Sequence, residues 1–281
     1  MKKLIYLCCL LLWGGTTNAQ NCCNSSVYNG DFAMLAMNTD FQSSHDAPLP
    51  LNYAPEKGKM VTFETKDANQ PGRAFYVPSD EPTTSVIFMF HEWWGLNDYI
   101  KREAERWQEM LGNVDVYAID LYDGAVATTP EEAGKLSSEL DKKRAEKIIQ
   151  GALAAAGMDV RIGTIGWCMG GSWAFQASLL AGNQSAATVM YYGFPETDEA
   201  KIAKLQNDVL YMWASRDAHI TRPVVDKFGE EVKKTGYKFE MHTFDAVHAF
   251  ANPSNPNHDA LAAQQAEQLA KNFLQEKLQL K

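Results

Sequence analysis

Beyond one short run at its start, the sequence has no apolar stretch long enough to cross a bilayer as a helix. It has no internal repeat and no low-complexity tract, which excludes a solenoid and a long disordered tail. Basic residues are in the minority, 26 against 35 acidic ones, and the net charge of -9 is a poor match to nucleic acid or an anionic membrane surface. Cysteine is scarce, with five residues in 281. Only Cys22, Cys23 and Cys168 lie beyond the first 19 residues, and they make no metal-ligand spacing. Neither a metal nor another cofactor is expected. An odd number also excludes complete internal pairing, and a bond between the adjacent Cys22 and Cys23 would be strained.

The one apolar run has a recognisable layout. Lys2 and Lys3 precede Leu4 to Trp13, and Thr17, Asn18 and Ala19 form a small-residue exit. This is the pattern of a secretory leader over residues 1–19, so the mature protein is expected to be exported, either to a periplasm or beyond the cell. Removing two lysines and no acids takes the net charge from -9 to -11. Residues 20–57, rich in Pro, Ser, Asn and Asp, read as an irregular arm. The rest, 58–281, has the length of one α/β domain.

Within that domain, strand-length apolar runs alternate with helical spacing. "SVIFMFH", "VDVYAID", "RIGTIGW", "AATVMYYG" and "DVLYMWAS" read as buried strands. "NDYIKREAERWQEM" starts at an Asn or Asp cap, and "TPEEAGKLSSELDKKRAEKIIQGALAAA" reads as a long helical stretch with Pro130 in its first turn. Repeated β–α units predict an α/β fold, a mostly parallel central sheet with helices on both faces.

In such sheets the ligand lies beyond the carboxyl ends of the strands. The polar residues just after these runs, and after the further strand "KFEMHTF", are therefore the candidates: His91 and Glu92, Asp120, Cys168, Asp217 and His248. A nucleophile, an acid and a histidine occur in the order Cys168, Asp217, His248, the chain order of α/β-hydrolases. "Gly166-Trp167-Cys168-Met169-Gly170" has the glycines that a sharp strand-to-helix turn demands. That turn puts Cys168 at a helix N-terminus, which favours thiolate, and aims the Met169 N–H at a nascent oxyanion. Each residue has a plainer reading: Cys168 as a small buried hydrophobe, Asp217 as a turn residue, His248 as a core histidine. Their joint order is what favours chemistry. "HEWWG" begins like a zinc-protease helix, but Gly95 stands where the second histidine would be. His219 is a minor alternative to His248 as the base.

The set "HEWWGLN", "AIDLYDG", "GTIGWCMGGSWAF", "YYG", "ASRDAHI" and "AVHAFAN" resembles the dienelactone hydrolase family from about Gly58 to Leu278. The resemblance implies hydrolysis of a small-molecule ester or lactone, with Cys168 as nucleophile, His248 as general base and acid, and Asp217 as its orienter. Glu92 would interact with the resting thiol, and the N–H groups of Trp93 and Met169 would form the oxyanion hole. Members that act on dienelactone hold its carboxylate with arginines, one of them just past the catalytic histidine. Here that position is Asn252, which has no cationic fork. Trp93, Trp94 and Tyr122 are expected on the pocket rim with Asn252 beside them. Two alternatives remain at this level: a non-catalytic binding protein on the same fold, and a redox sensor using Cys168. The oligomeric state is open.

Overall fold

The five continuous apolar runs become inner strands of the sheet. The computed structural model describes residues 32–280, in which eight strands form one sheet: β1 (Lys59–Phe63), β2 (Gly72–Val77), β3 (Ser85–Phe90), β4 (Asp115–Ile119), β5 (Arg161–Trp167), β6 (Ser185–Tyr191), β7 (Asp208–Ala214) and β8 (Phe239–Phe244). Their order is β1-β2-β4-β3-β5-β6-β7-β8. The β1–β2 and β2–β4 pairings are antiparallel, and from β4 through β8 every pairing is parallel. All six residues of β3 are buried, as a strand covered on both faces requires.

Helices α3 (Asp98–Leu111), α4 (Pro130–Ser138), α5 (Lys142–Ala156), α6 (Met169–Ala181), α7 (Glu199–Ile202), α8 (Arg222–Lys234) and α9 (Ala260–Leu278) link the strands and close the chain. Asn97 caps α3 by accepting the Ile100 N–H, and Thr129 caps α4 by accepting the Glu132 N–H with Pro130 in the first turn. The stretch expected as one helix is two. It breaks after Ser138 and restarts at Lys142, because the Asp141 side chain takes the Lys143 N–H and begins a new cap.

Residues 32–57 also differ from the expected irregular arm. They carry two short helices, α1 (Phe32–Ala36) and α2 (Thr39–Ser43), with Asn38 capping α2 through the Asp40 and Phe41 amides. Phe32, Leu35, Ala36 and Phe41 join the main core. A Cβ on Gly134 of α4 would come 2.8 Å from the Ala36 carbonyl, so that glycine lets the arm lie close. Farther along, Glu105 of α3 ties the arm down. It accepts from the Tyr53 hydroxyl at 2.6 Å and from the Gly58 amide at 2.6 Å. Polar residues at 20–57 suggested loop, but four apolar side chains among them are enough to fasten it to the core. The leader and the Cys22–Cys23 pair lie outside the described residues.

Candidate active site

The turn from β5 to α6 is built from its glycines. Cys168 has φ 53°, a conformation that side chains rarely adopt. The backbone crowds so closely there that a Cβ on Gly166 would lie 2.1 Å from the Gly170 carbonyl oxygen, and one on Gly170 would lie 2.2 Å from the Phe90 carbonyl oxygen. A Cβ on Gly171 would meet Gly193 at 2.9 Å, so α6 can sit against the end of β6 only because both are glycine. The Cys168 amide donates to the Tyr191 carbonyl at 3.0 Å and fixes the turn to the next strand.

The strand-end loops bring Cys168, Asp217 and His248 to one edge of the sheet. His248 Nδ1–H donates to Asp217 Oδ2 at 2.6 Å. The other carboxylate oxygen accepts the backbone amides of His219 at 2.8 Å and Ile220 at 3.0 Å. His219 thus holds Asp217 through its main chain, and His248 is the ring paired with the acid. Cys168 is 1% exposed. Its burial pushes the thiol up, partly offset by His248 and by the Met169 N–H, while nearby Glu92 pushes the same way as burial. The helix N-terminus alone therefore does not leave a resting thiolate. Burial would lower His248, but the Asp217 carboxylate, and Cys168 once it is ionised, outweigh it and raise the basicity of the imidazole. Asp217 stays below the usual carboxylate range despite burial, because His248 and two amides favour its charged form.

Glu92 follows β3 and is buried. Burial lifts its carboxyl to about 7, against the opposing pull of His248, Tyr192 and Asn252. Tyr192 donates its hydroxyl to Glu92 Oε1 at 3.4 Å, and Asn252 donates its amide to Glu92 Oε2. Asn252 is therefore a clamp on Glu92, and it also lines a small cavity of about 40 Å³ with Glu92 and Trp94. That cavity shares Glu103, Trp167, Ala251 and Pro253 with a groove of about 490 Å³. Cys168 and His248 line neither.

Tyr122 departs from its expected place on the rim. Its hydroxyl lies 3.2 Å from the Trp93 carbonyl, 2.9 Å from Ser137 Oγ and 3.1 Å from Met169 Sδ. It is buried behind the Trp93 and Met169 loops and holds both. Trp93 is also fully buried. His91 serves the same scaffold: Nδ1–H donates to the Glu92 carbonyl at 2.6 Å and Nε2 accepts the Leu121 amide at 3.2 Å. Asp120 accepts the Tyr122 amide at 3.1 Å. Among the described residues no group of His, Cys, Asp and Glu is arranged to hold a metal ion.

Three neighbours were not among the expected site residues. Tyr192, with φ 38°, directly follows β6 beside His248, their ring centroids 5.0 Å apart. Phe41 and His45 come from the arm, and their rings lie 5.6 Å and 5.3 Å from that of His248. The "YYG" end of a strand was a signal for Tyr192. Nothing local marks Phe41 or His45.

Known proteins decide the family. The model of the dienelactone hydrolase family matches residues 73–278. The chain belongs to the dienelactone hydrolase family. A protein of Aquifex aeolicus described provisionally as a carboxymethylenebutenolidase is 26% identical over 227 residues, covering 77% of this chain and 97% of the relative. Among solved structures, a dienelactone hydrolase-like promiscuous phosphotriesterase from metagenomic libraries is similar with a TM-score of 0.67 at 19% identity, over 79% of this chain and 99% of that one. A thermophilic esterase from Thermogutta terrifontis reaches a TM-score of 0.56 at 16% identity, over 80% and 95% of the two chains. This dienelactone hydrolase-family protein has the α/β-hydrolase fold and is a carboxylic ester or lactone hydrolase.

Proposed function

We propose that the reaction runs through a thioester on Cys168, with His248, Asp217 and Glu92 as its partners. The observation that carries this reading is the 2.6 Å pair of His248 Nδ1 with Asp217 Oδ2, which leaves Nε2 as the ring atom free to exchange a proton with the elbow thiol. The Sγ proton passes to His248 Nε2; where Glu92 takes it first as substrate binds, Glu92 hands it on to His248 Nε2 before the leaving group departs. The thiolate attacks the ester carbonyl carbon, and the carbonyl π pair moves to oxygen. The amides of Met169 and Trp93 hold that oxyanion. Collapse breaks the carbon–alkoxide bond, and the alkoxide takes a proton from His248 Nε2. Water then loses a proton to His248 and attacks the thioester, and the second collapse releases the acid and restores the thiol. With a lactone, the alkoxide stays tethered and the product is a hydroxy acid.

Glu92 has the chemistry its place requires. A fixed carboxylate beside a thiol would only keep the thiol protonated. A carboxyl lifted to about 7 can hold or release a proton near neutrality and so accept one when substrate binds. The clamp by Asn252 also supports a substrate other than small anionic lactones, since the residue that would meet a substrate carboxylate is neutral and already engaged. The pattern of residues 1–19 supports export of the mature chain, tested by the N-terminal sequence of the protein recovered outside the cytoplasm.

The mechanism is tested by mixing the protein with an aryl ester, quenching in acid during turnover and measuring the mass of the Cys168 peptide. An acyl group on that peptide, removable by hydroxylamine, supports the thioester. An acyl group found elsewhere would contradict it.

A further inference from the structure

The arm lies outside the family match, which begins at residue 73, yet it reaches the reactive centre. Phe41 is 0% exposed and its ring touches His45, Trp93, His219 and His248, with centroids 4.2, 5.1, 5.0 and 5.6 Å away. His248 is therefore enclosed by Tyr192 on one side and by arm residues on another. Phe41 and His45 precede the matched segment, so the surroundings of His248 include side chains that segment does not supply.

His45 is 5% exposed and has no role in the thiol chemistry. A carbonyl oxygen can only accept, so the 2.7 Å contact between His45 Nδ1 and the Phe41 carbonyl places the ring proton on Nδ1. Burial, reinforced by the charge of His248, lowers its pKa to about 3, so the ring is neutral and Nε2 carries a lone pair. That Nε2 is buried without a hydrogen-bond partner among the described residues. So is the indole N–H of Trp93, whose ring lies 4.9 Å from that of His45. An acceptor and a donor thus stand unsatisfied on two rings in contact, next to the paired histidine. A hydroxyl both donates and accepts, so a substrate hydroxyl placed between them can satisfy both. Buried polar atoms left unpaired are costly, which makes a site that carries them selective for ligands that pair them.

We propose that Phe41 and His45 are specificity-determining residues of the ester site, Phe41 limiting the bulk of the group beside His248 and His45 Nε2 accepting a hydrogen bond from a substrate hydroxyl. This rests on the thioester reading above. The substrate class is an ester or lactone with a hydroxyl close to the reacting carbonyl.

The test is a matched panel of para-nitrophenyl esters, with and without a hydroxyl near the carbonyl (mandelate against phenylacetate, β-hydroxybutyrate against butyrate) and with increasing acyl bulk. The wild type is expected to favour the hydroxylated member of each pair in kcat/KM. His45→Phe is expected to lower that preference about tenfold, as the loss of one hydrogen bond implies, and His45→Gln, which keeps an acceptor, to restore part of it. Phe41→Leu and Phe41→Ala are expected to raise the rate on bulky acyl groups relative to acetate, with Leu as the milder packing change. If all these variants change every ester by the same factor, the arm has only a structural role and the proposal is overturned. Cys168→Ala on the same panel separates the two readings. Turnover surviving in it contradicts the thioester, whereas turnover lost with unmoved ester ratios contradicts only the arm.

Discussion

Asn252 donates its side-chain amide to Glu92 Oε2, so a residue four positions after His248 bears on the charge of a carboxyl 160 positions away in sequence. The bond favours the ionised form and works against the burial that lifts Glu92 to about 7. Removing it in Asn252→Ala is expected to raise the Glu92 pKa by about one unit. In the pH dependence of kcat/KM, the limb assigned to Glu92 should move to higher pH by that amount. An unmoved limb would show that the clamp does not govern the carboxyl.

Glu92→Gln gives a second reading of the same group. Its carboxyl ionises near 4.5 when unfolded and about 7 when folded, so the folded state holds the proton through the interval. Wild-type stability should therefore fall relative to Glu92→Gln as pH rises from 4.5 to 7, and the gap should stay constant above 7. The gap is of order 1–3 kcal/mol, measured by urea unfolding at pH 4, 6 and 8. The same variant should lose the activity limb near 7.

Asp217→Asn keeps an oxygen for the His219 and Ile220 amides while removing the charge that holds His248 up. A fall in kcat/KM of about 10² to 10⁴ is expected, as when an orienting carboxylate is made neutral. The His248 pKa, followed by NMR titration, should drop in parallel. An unchanged pKa would assign the raised value to ionised Cys168 alone.

Gly166→Ala tests the elbow. The new Cβ would fall 2.1 Å from the Gly170 carbonyl oxygen, a backbone atom that cannot swing away. Loss of stability of at least about 2 kcal/mol, together with loss of turnover, is expected. Gly157→Ala, where a Cβ meets nothing within 4 Å but φ is 101°, should keep most of the activity.

Much of the site was legible because its parts sit in fixed relation to strand ends. Cys168, Asp217 and Glu92 each follow a continuous apolar run, His248 follows the mixed strand β8, and the glycines around Cys168 announce a turn that only they permit. The misreadings have a common cause. Tyr122 and the arm were judged from sequence neighbours, whereas their partners come from elsewhere: Trp93 and Met169 for Tyr122, and His248 for Phe41 and His45; the bond of Asn252 to Glu92 was hidden for the same reason. The break after Ser138 was missed because a helical apolar pattern continues across it, while the local competition from the Asp141 side chain decides the outcome. The direction of the Cys168 shift depends on burial, which the helix N-terminus does not reveal.

The buried thiol makes a further prediction. At 1% exposure, Cys168 should react slowly with a bulky maleimide and faster with iodoacetamide, read from the mass of its own peptide. Equal rates at the level of a free thiol would contradict a shielded site.

The most direct test of the account is hydrolysis of para-nitrophenyl acetate by the wild type and by Cys168→Ala, with circular dichroism confirming that both are folded. Turnover by the wild type that falls to background in the variant is the predicted result. Turnover unchanged in Cys168→Ala would contradict the cysteine mechanism.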